Sequence, residues 1–337
     1  MTERLEPGLH EDAAPFRMVA PSGVSVPEAV APGLAKPPAE MGLRIQSATQ
    51  HSRRSSRVVI PPFCDATLYA ERTGFRDDFL GDGARLRVPL PAIAEADQIL
   101  RYANFSIVFC RQRKLARLSA INIDGGRWQR IERRQPDTWS YDPRLAGDRQ
   151  VGRNLYDGVR YDHAQLVRRQ DACSGRDAEL AEQDTFHLTN AMPHDLALGS
   201  GPWNALEYHV LDTIRLCRSR LTVLAGPIFD DADPADCGIR IPQNYFKIAA
   251  YVDDNGHLSA AAWMQRLPWP QEARTERSAT APESLMIWQI PISLIAESTA
   301  LDLAPLFAAD TLGRHRSGQA AAAWQPIPIT EADDLLL

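Results

Sequence analysis

The chain has 337 residues, of which 44 % are hydrophobic and 24 % charged, an ordinary balance for a globular protein. Its net charge of −6 argues against a wholly basic nucleic-acid binder, although residues 101–220 hold 19 Arg or Lys against 15 Asp or Glu and are less acidic than their flanks. No run of 18 apolar residues occurs, Met1–Asp12 lacks the apolar core of a secretory leader, and the five cysteines include no C-x-x-C pair, so a cytoplasmic protein with free thiols and no membrane partner is expected.

Residues 1–60 read as a proline-rich, disordered tail. Seven prolines between Pro7 and Pro38 oppose long helices and paired strands. The run His51-Ser-Arg-Arg-Ser-Ser-Arg57 closes this tail with positive charge and reads as a solvated linker or a docking element. The ordered domain is expected over 61–313, followed by a second tail over 314–337. Phe105–Cys110 and Leu115–Ile123 have strand composition and form a hairpin through the basic turn Arg111–Lys114; the second strand stops at Asp124-Gly-Gly126. Residues 127–160 are rich in Arg, Asp, Gly and Pro and read as an irregular connection. Trp203–Cys217 is the clearest helix, with Trp203, Leu206, Val210, Ile214 and Cys217 on one face. Leu221–Ala225 reads as a short buried strand ended by Gly226-Pro227. Phe246–Val252 and Ser259–Met264 pair across the turn Asp253–Gly256. Pro268–Pro282 is a polar loop, and Leu285–Ile292 returns to strand. Strands around one strong helix give an α+β class with a central antiparallel sheet and flanking helices.

Four segments then carry a family resemblance. They are Phe105–Phe109 with Ala120–Gly125; Tyr161-Asp-His-Ala-Gln-Leu-Val-Arg-Arg169; Asp184–Pro193 with Trp203-Asn-Ala-Leu-Glu207; and Thr222–Phe229 with Ile241–Lys247. In this order they resemble the DNA/RNA non-specific endonucleases, and the likeness spans about residues 66–313. The resemblance implies a ββα-metal core. It also implies Mg²⁺, a histidine general base within Asp-Arg-Gly-His, a metal-binding asparagine ahead of the Trp-x-x-Leu-Glu helix, and a glutamate that holds the metal's water shell.

The register set by Leu166–Arg169 lays Asp-Arg-Gly-His on Asp162-His163-Ala164-Gln165. The base position is then Gln165, whose amide takes no proton near neutral pH. His163 stands at the arginine position, and the metal asparagine falls on Gly199, which has no side chain to coordinate an ion. Glu207 is retained. Arg168 and Arg169 are candidates for nucleic-acid phosphate, and Asn190 for backbone hydrogen bonds. His187 reads as a core residue on a strand between Phe186 and Leu188. His163, two residues from Gln165 on one strand, and His194, beside Pro193, are candidate replacement bases. The changed positions favour a degenerate nuclease that binds DNA, RNA or a protein partner. The alternatives are an Mg²⁺-dependent endonuclease with a relocated histidine, and a structural subunit acting as a homodimer or with another protein.

Overall fold

The computed structural model describes residues 57–58, 65–92, 94–95, 97–134, 136–156, 160–195, 201–266, 287–315 and 327–329. Strands β1 (Arg57–Val58), β2 (Asp97–Arg101), β3 (Phe105–Cys110), β4 (Leu115–Asp124) and β5 (Thr138–Trp139) lead to helix α1 (Arg153–Tyr156). Next come β6 (Tyr161–Gln165), α2 (Ala178–Asp184), β7 (Ala191–Asp195) and α3 (Gly201–Leu216). Strands β8 (Arg220–Ile228), β9 (Ala235–Asp236), β10 (Ile239–Arg240), β11 (Asn244–Val252), β12 (Leu258–Arg266) and β13 (Ile287–Gln289) follow. Helices α4 (Ile292–Thr299) and α5 (Thr311–His315) precede β14 (Ile327–Ile329).

One eight-stranded sheet, in the order β14-β13-β12-β11-β8-β4-β3-β2, organises the molecule, and every pairing in it is antiparallel. Its central strands are apolar on both faces because both faces are covered. Phe105, Ile121, Val223, Ala249 and Trp263 share one face with Leu206, Leu211 and Ile214 of α3 and with Tyr161 and Met192 of the small hairpin. The alternate residues Val108, Leu118, Leu224, Phe246 and Ile248 are equally buried on the other face, where α4, the 3-10 turn Ala304–Ala309 and α5 pack. The site lies on the α3 face. There β4 meets the helix so closely that a Cβ at Gly125 would stand 2.1 Å from the Ile214 carbonyl oxygen.

The expected hairpin through Arg111–Lys114 forms, as do the turn Asp253–Gly256 and the helix starting near Trp203. Four readings change. Strand β8 does not stop at Gly226-Pro227. A side chain at Gly226 would meet the Arg117 carbonyl at 2.4 Å, so the glycine is a place of close approach inside the strand. Pro227 lies beyond the last β4–β8 pair, Ser119 with Ala225, so its missing N–H breaks no ladder on that side. Leu285–Ile292 is not one strand: among its described residues Ile287–Gln289 pairs, and Ile292 opens α4 behind Pro291. His187 precedes a 3-10 turn, Leu188–Asn190, and makes only an isolated bridge with Ser140. Finally, Arg57–Val58 and Ile327–Ile329, both assigned to tails, form strands against β5 and β13. The rest of the first tail and the loop Pro268–Pro282 lie outside the described residues, as do Ala320–Ala323 and Leu335–Leu337 of the second tail. No described helix is long and apolar enough to cross a membrane.

Candidate functional site

Strands β6 and β7 pair antiparallel, and α3 follows them, so two strands and a helix stand in the expected order. In the hairpin Gln165 lies opposite Ala191, Ala164 opposite Met192, His163 opposite Pro193 and Asp162 opposite His194. Gly199, the expected ligand position, falls among 196–200, outside the described residues.

Gln165 is a brace. Its Nε2 donates to the Thr185 carbonyl at 3.2 Å and to Thr185 Oγ1 at 3.0 Å, and its Oε1 accepts the Arg169 N–H at 3.0 Å. Both ends of the amide are therefore occupied by the end of α2 and by the turn after β6. Asn190 completes the same join. It is fully buried, accepts the Val167 N–H at 2.9 Å and donates to the carbonyls of Val167 and Thr185, each at 2.9 Å.

His163 does not stand open beside Gln165 as a replacement base would. Its ring lies between Tyr156, with centroids 3.9 Å apart, and Trp139, at 4.5 Å, both stacked. Its side chain is 2 % exposed, with Nδ1 3.5 Å from Asp162 Oδ1. The short helix α1 and strand β5 supply the two covering rings, and neither was legible from the irregular composition of 127–160. The Asp162 carboxylate is half-exposed and accepts the His163 N–H at 2.7 Å. Partial burial raises its pKa, but the hydrogen bonds from His163 and the charges of His163 and His194 outweigh this and leave it lowered. His194 is partly buried on the opposite strand.

Glu207 is 8 % exposed, and cations face both of its carboxylate oxygens. Oε1 accepts a hydrogen bond from Lys247 Nζ of β11, and Oε2 lies 3.6 Å from Arg168 Nε. Arg168 also binds Asp171 at 2.6 Å and the Glu207 carbonyl at 2.7 Å. Burial lowers the Arg168 pKa, but Asp171 and Glu207 raise it further, so its guanidinium stays charged. Arg169 reaches Glu182 at 3.1 Å and the Ile131 carbonyl at 3.0 Å. The side chains of Arg168 and Arg169 are each 14 % exposed, and both are engaged in internal ion pairs.

Sequence reasoning missed Thr185, Asp171, Glu182 and the part played by Lys247. For Lys247 a signal existed: it is one of three lysines in the chain and interrupts the apolar strand Tyr-Phe-Lys-Ile-Ala-Ala-Tyr-Val. A charge inside a strand buried on both faces requires a partner. Among the described residues no group of three or more His, Cys, Asp or Glu is arranged to hold a metal ion. Among the described residues, Glu207, the carboxylate that the motif register lays at the metal side, is flanked by an ammonium and a guanidinium, a donor set that does not fit a divalent cation.

A second polar cluster lies in the same core. Tyr102 donates to Asp142, which Arg144 grips at 2.6 Å, and Thr189 Oγ1 lies 2.6 Å from the Tyr102 hydroxyl. His187 Nδ1 donates to the Asp184 carbonyl at 2.8 Å, which leaves Nε2 to accept from the Tyr69 hydroxyl at 2.6 Å. His187 is thus the buried, satisfied core residue expected.

The DNA/RNA non-specific endonuclease family matches residues 87–309. A curated relative, the uncharacterized protein y4fB of Sinorhizobium fredii (strain NBRC 101917 / NGR234), is 32 % identical over 322 residues, which take in 86 % of this chain and 46 % of that protein. The chain therefore spans about half the length of that relative. Among solved structures, the crystal structure of the EndoG/EndoGI complex is similar at 16 % identity and a TM-score of 0.49, covering 63 % of this chain and 86 % of that one.

Proposed function

This chain belongs to the DNA/RNA non-specific endonuclease family, and we propose that within it the chain is a catalytically silent member that binds nucleic acid without cutting it. The observation that carries this reading is Gln165. At the position of the family's base stands an amide whose nitrogen and oxygen are both bonded to the scaffold. Such a group cannot take a proton from water. The nearest alternative, His163, is stacked between two rings, and Glu207 is engaged by Lys247 and Arg168. No catalytic step through Mg²⁺ is assigned, because the donor set does not suit it.

The test is direct. Purified protein is incubated with supercoiled plasmid and with RNA, in Mg²⁺ and in Mn²⁺. Both substrates remain intact, while a gel-shift assay at low salt detects binding. Nicking that survives two purification steps and disappears in Glu207→Gln overturns the loss of catalysis. Absence of any shift overturns the nucleic-acid role and leaves a protein partner as the function of the scaffold.

A further inference from the structure

With Arg168 and Arg169 closed in ion pairs, a nucleic-acid surface has to use other cations. The segment Arg127-Trp-Gln-Arg-Ile-Glu-Arg-Arg134 leaves β4 with four arginines in eight residues. Arg133 pairs with Asp137. Arg130 and Arg134 are exposed and make no ion pair or hydrogen bond with a described residue. They line a surface pocket of about 310 Å³, whose opposite wall is Glu179, Glu182 and Gln183 of α2. Arg169 neutralises Glu182 and also binds the Ile131 carbonyl, so the arginine segment is fastened to α2 and to the turn after β6.

Helix α3 presents Tyr208, 45 % exposed, immediately after Glu207. The Arg168 guanidinium stands 5.2 Å from its ring centroid, and Arg133 lies within electrostatic reach of both Tyr208 and Glu182. An exposed aromatic ring on the helix that follows Glu207, together with the exposed guanidinium groups of Arg130 and Arg134, suits a nucleic acid whose bases are unpaired. A ring can stack on a base only when the base face is open, whereas guanidinium groups take any phosphate. The pocket volume falls at the lower end of the roughly 300–1,000 Å³ range of small-ligand sites, enough for one nucleotide and too little for a duplex. Glu132 and Glu179 also line it and would repel phosphate, but a carboxylate accepts from an exocyclic amine or a ribose hydroxyl. Charge of both signs therefore suits a nucleotide lying across the pocket with its phosphate on the arginine side.

We propose that Arg130, Arg134, the pocket between them and α2, and Tyr208 form a platform for single-stranded nucleic acid, with the two arginines on successive phosphates and the tyrosine stacked on a base. This rests on the reading of the chain as a non-cutting nucleic-acid binder. The full chain is titrated by fluorescence anisotropy against a labelled 12-mer of single-stranded DNA, the same sequence as RNA, and the DNA duplex, across a range of salt. Single strands bind more tightly than duplex. Arg130→Ala with Arg134→Ala lowers the slope of log K against log salt by about 1.4, from about 0.7 per phosphate contact on a single strand. Tyr208→Ala weakens single-strand binding by roughly tenfold or more, and Tyr208→Phe restores it. All variants are surface changes, and unaltered thermal melting verifies their fold. Wild-type binding that none of these variants affects, or that is equal for duplex, overturns the platform and leaves the broader reading standing. Failure of the wild type to bind any of the three probes overturns both. Equal binding of polyglutamate, unaffected by Tyr208→Ala, overturns the platform in favour of an acidic protein partner.

Discussion

The two buried polar clusters on the α3 face are built from similar parts. Around Tyr102 stand Asp142, Thr189 and Arg144, and a hydrogen-bonded His187–Tyr69 pair lies against them. Around Glu207 stand Lys247, Arg168 and Asp171, with the Gln165 amide braced nearby. The first cluster falls on no motif that resembles a catalytic position. The second contains Gln165 and Glu207, which the motif register lays on the base and glutamate positions of a nuclease family. A working metal site keeps lone pairs turned outward toward an ion or its water. In the second cluster they are turned inward onto cations of the protein itself, as in the first. The difference between them is electrical: the first contains an imidazole, His187, whose pKa burial lowers, whereas Arg168 is held charged by Asp171 and Glu207.

The largest expected effect tests whether Glu207 has become a structural residue. Glu207→Ala leaves Lys247 buried beside Arg168 with no carboxylate between them, and costs about 3–5 kcal/mol of stability, the usual result of breaking a buried pair from one side. Asp142→Ala costs a similar amount, because it strands Arg144 and the Tyr102 hydroxyl. Urea unfolding measures both. A Glu207→Ala protein within 1 kcal/mol of wild type, while Asp142→Ala collapses, breaks the likeness between the clusters. Next comes Asn190→Ala, which leaves the buried N–H and carbonyl of Val167 without their Asn190 partner, takes one of two bonds from the Thr185 carbonyl, and costs about 2–3 kcal/mol.

A pH experiment separates the clusters. Burial holds the His187 imidazole below its ordinary value of 6.5, with Asp142 and Asp184 opposing that shift. Well above pH 6.5 neither the folded nor the unfolded chain is protonated there, and the stability from this group is complete. As pH falls, the unfolded chain takes up a proton that the folded one refuses, and stability drops by at most about 1.4 kcal/mol per pH unit. The loss between pH 7 and pH 5 should shrink in His187→Gln and persist in Gln165→Ala. An unchanged pH dependence in His187→Gln rejects the assignment.

The sheet was legible in the sequence because its signals are local. Phe105–Cys110, Leu115–Ile123 and the turn Asp253–Gly256 carry their strand and turn composition in short windows. The site was legible only in part. The motif register identifies Gln165 and Glu207 but says nothing of what surrounds them. Lys247 lies 40 residues from Glu207, and Tyr156 and Trp139 cover His163 from segments that look irregular. Partnerships of this kind are tertiary facts that a single sequence does not contain. The same limit explains Arg168 and Arg169. The sequence shows a pair of arginines after a strand but not the buried Asp171 and Glu182 with which they pair.

The smallest expected effect comes from Gln165→His. The substitution gives the base position a titratable ring and removes the bonds to Thr185 and to the Arg169 N–H, a loss of about 1 kcal/mol. It does nothing to Glu207, whose oxygens stay on Lys247 and Arg168, and nothing to Gly199. A base without an ion to stabilise the charged transition state leaves the phosphodiester bond intact. Plasmid nicking should therefore remain at background in Mg²⁺ and in Mn²⁺. If this one change instead yields a metal-dependent nuclease, then Glu207 exchanges its protein partners for a cation readily, and the two clusters are alike in their bonding only, with the second still poised for catalysis.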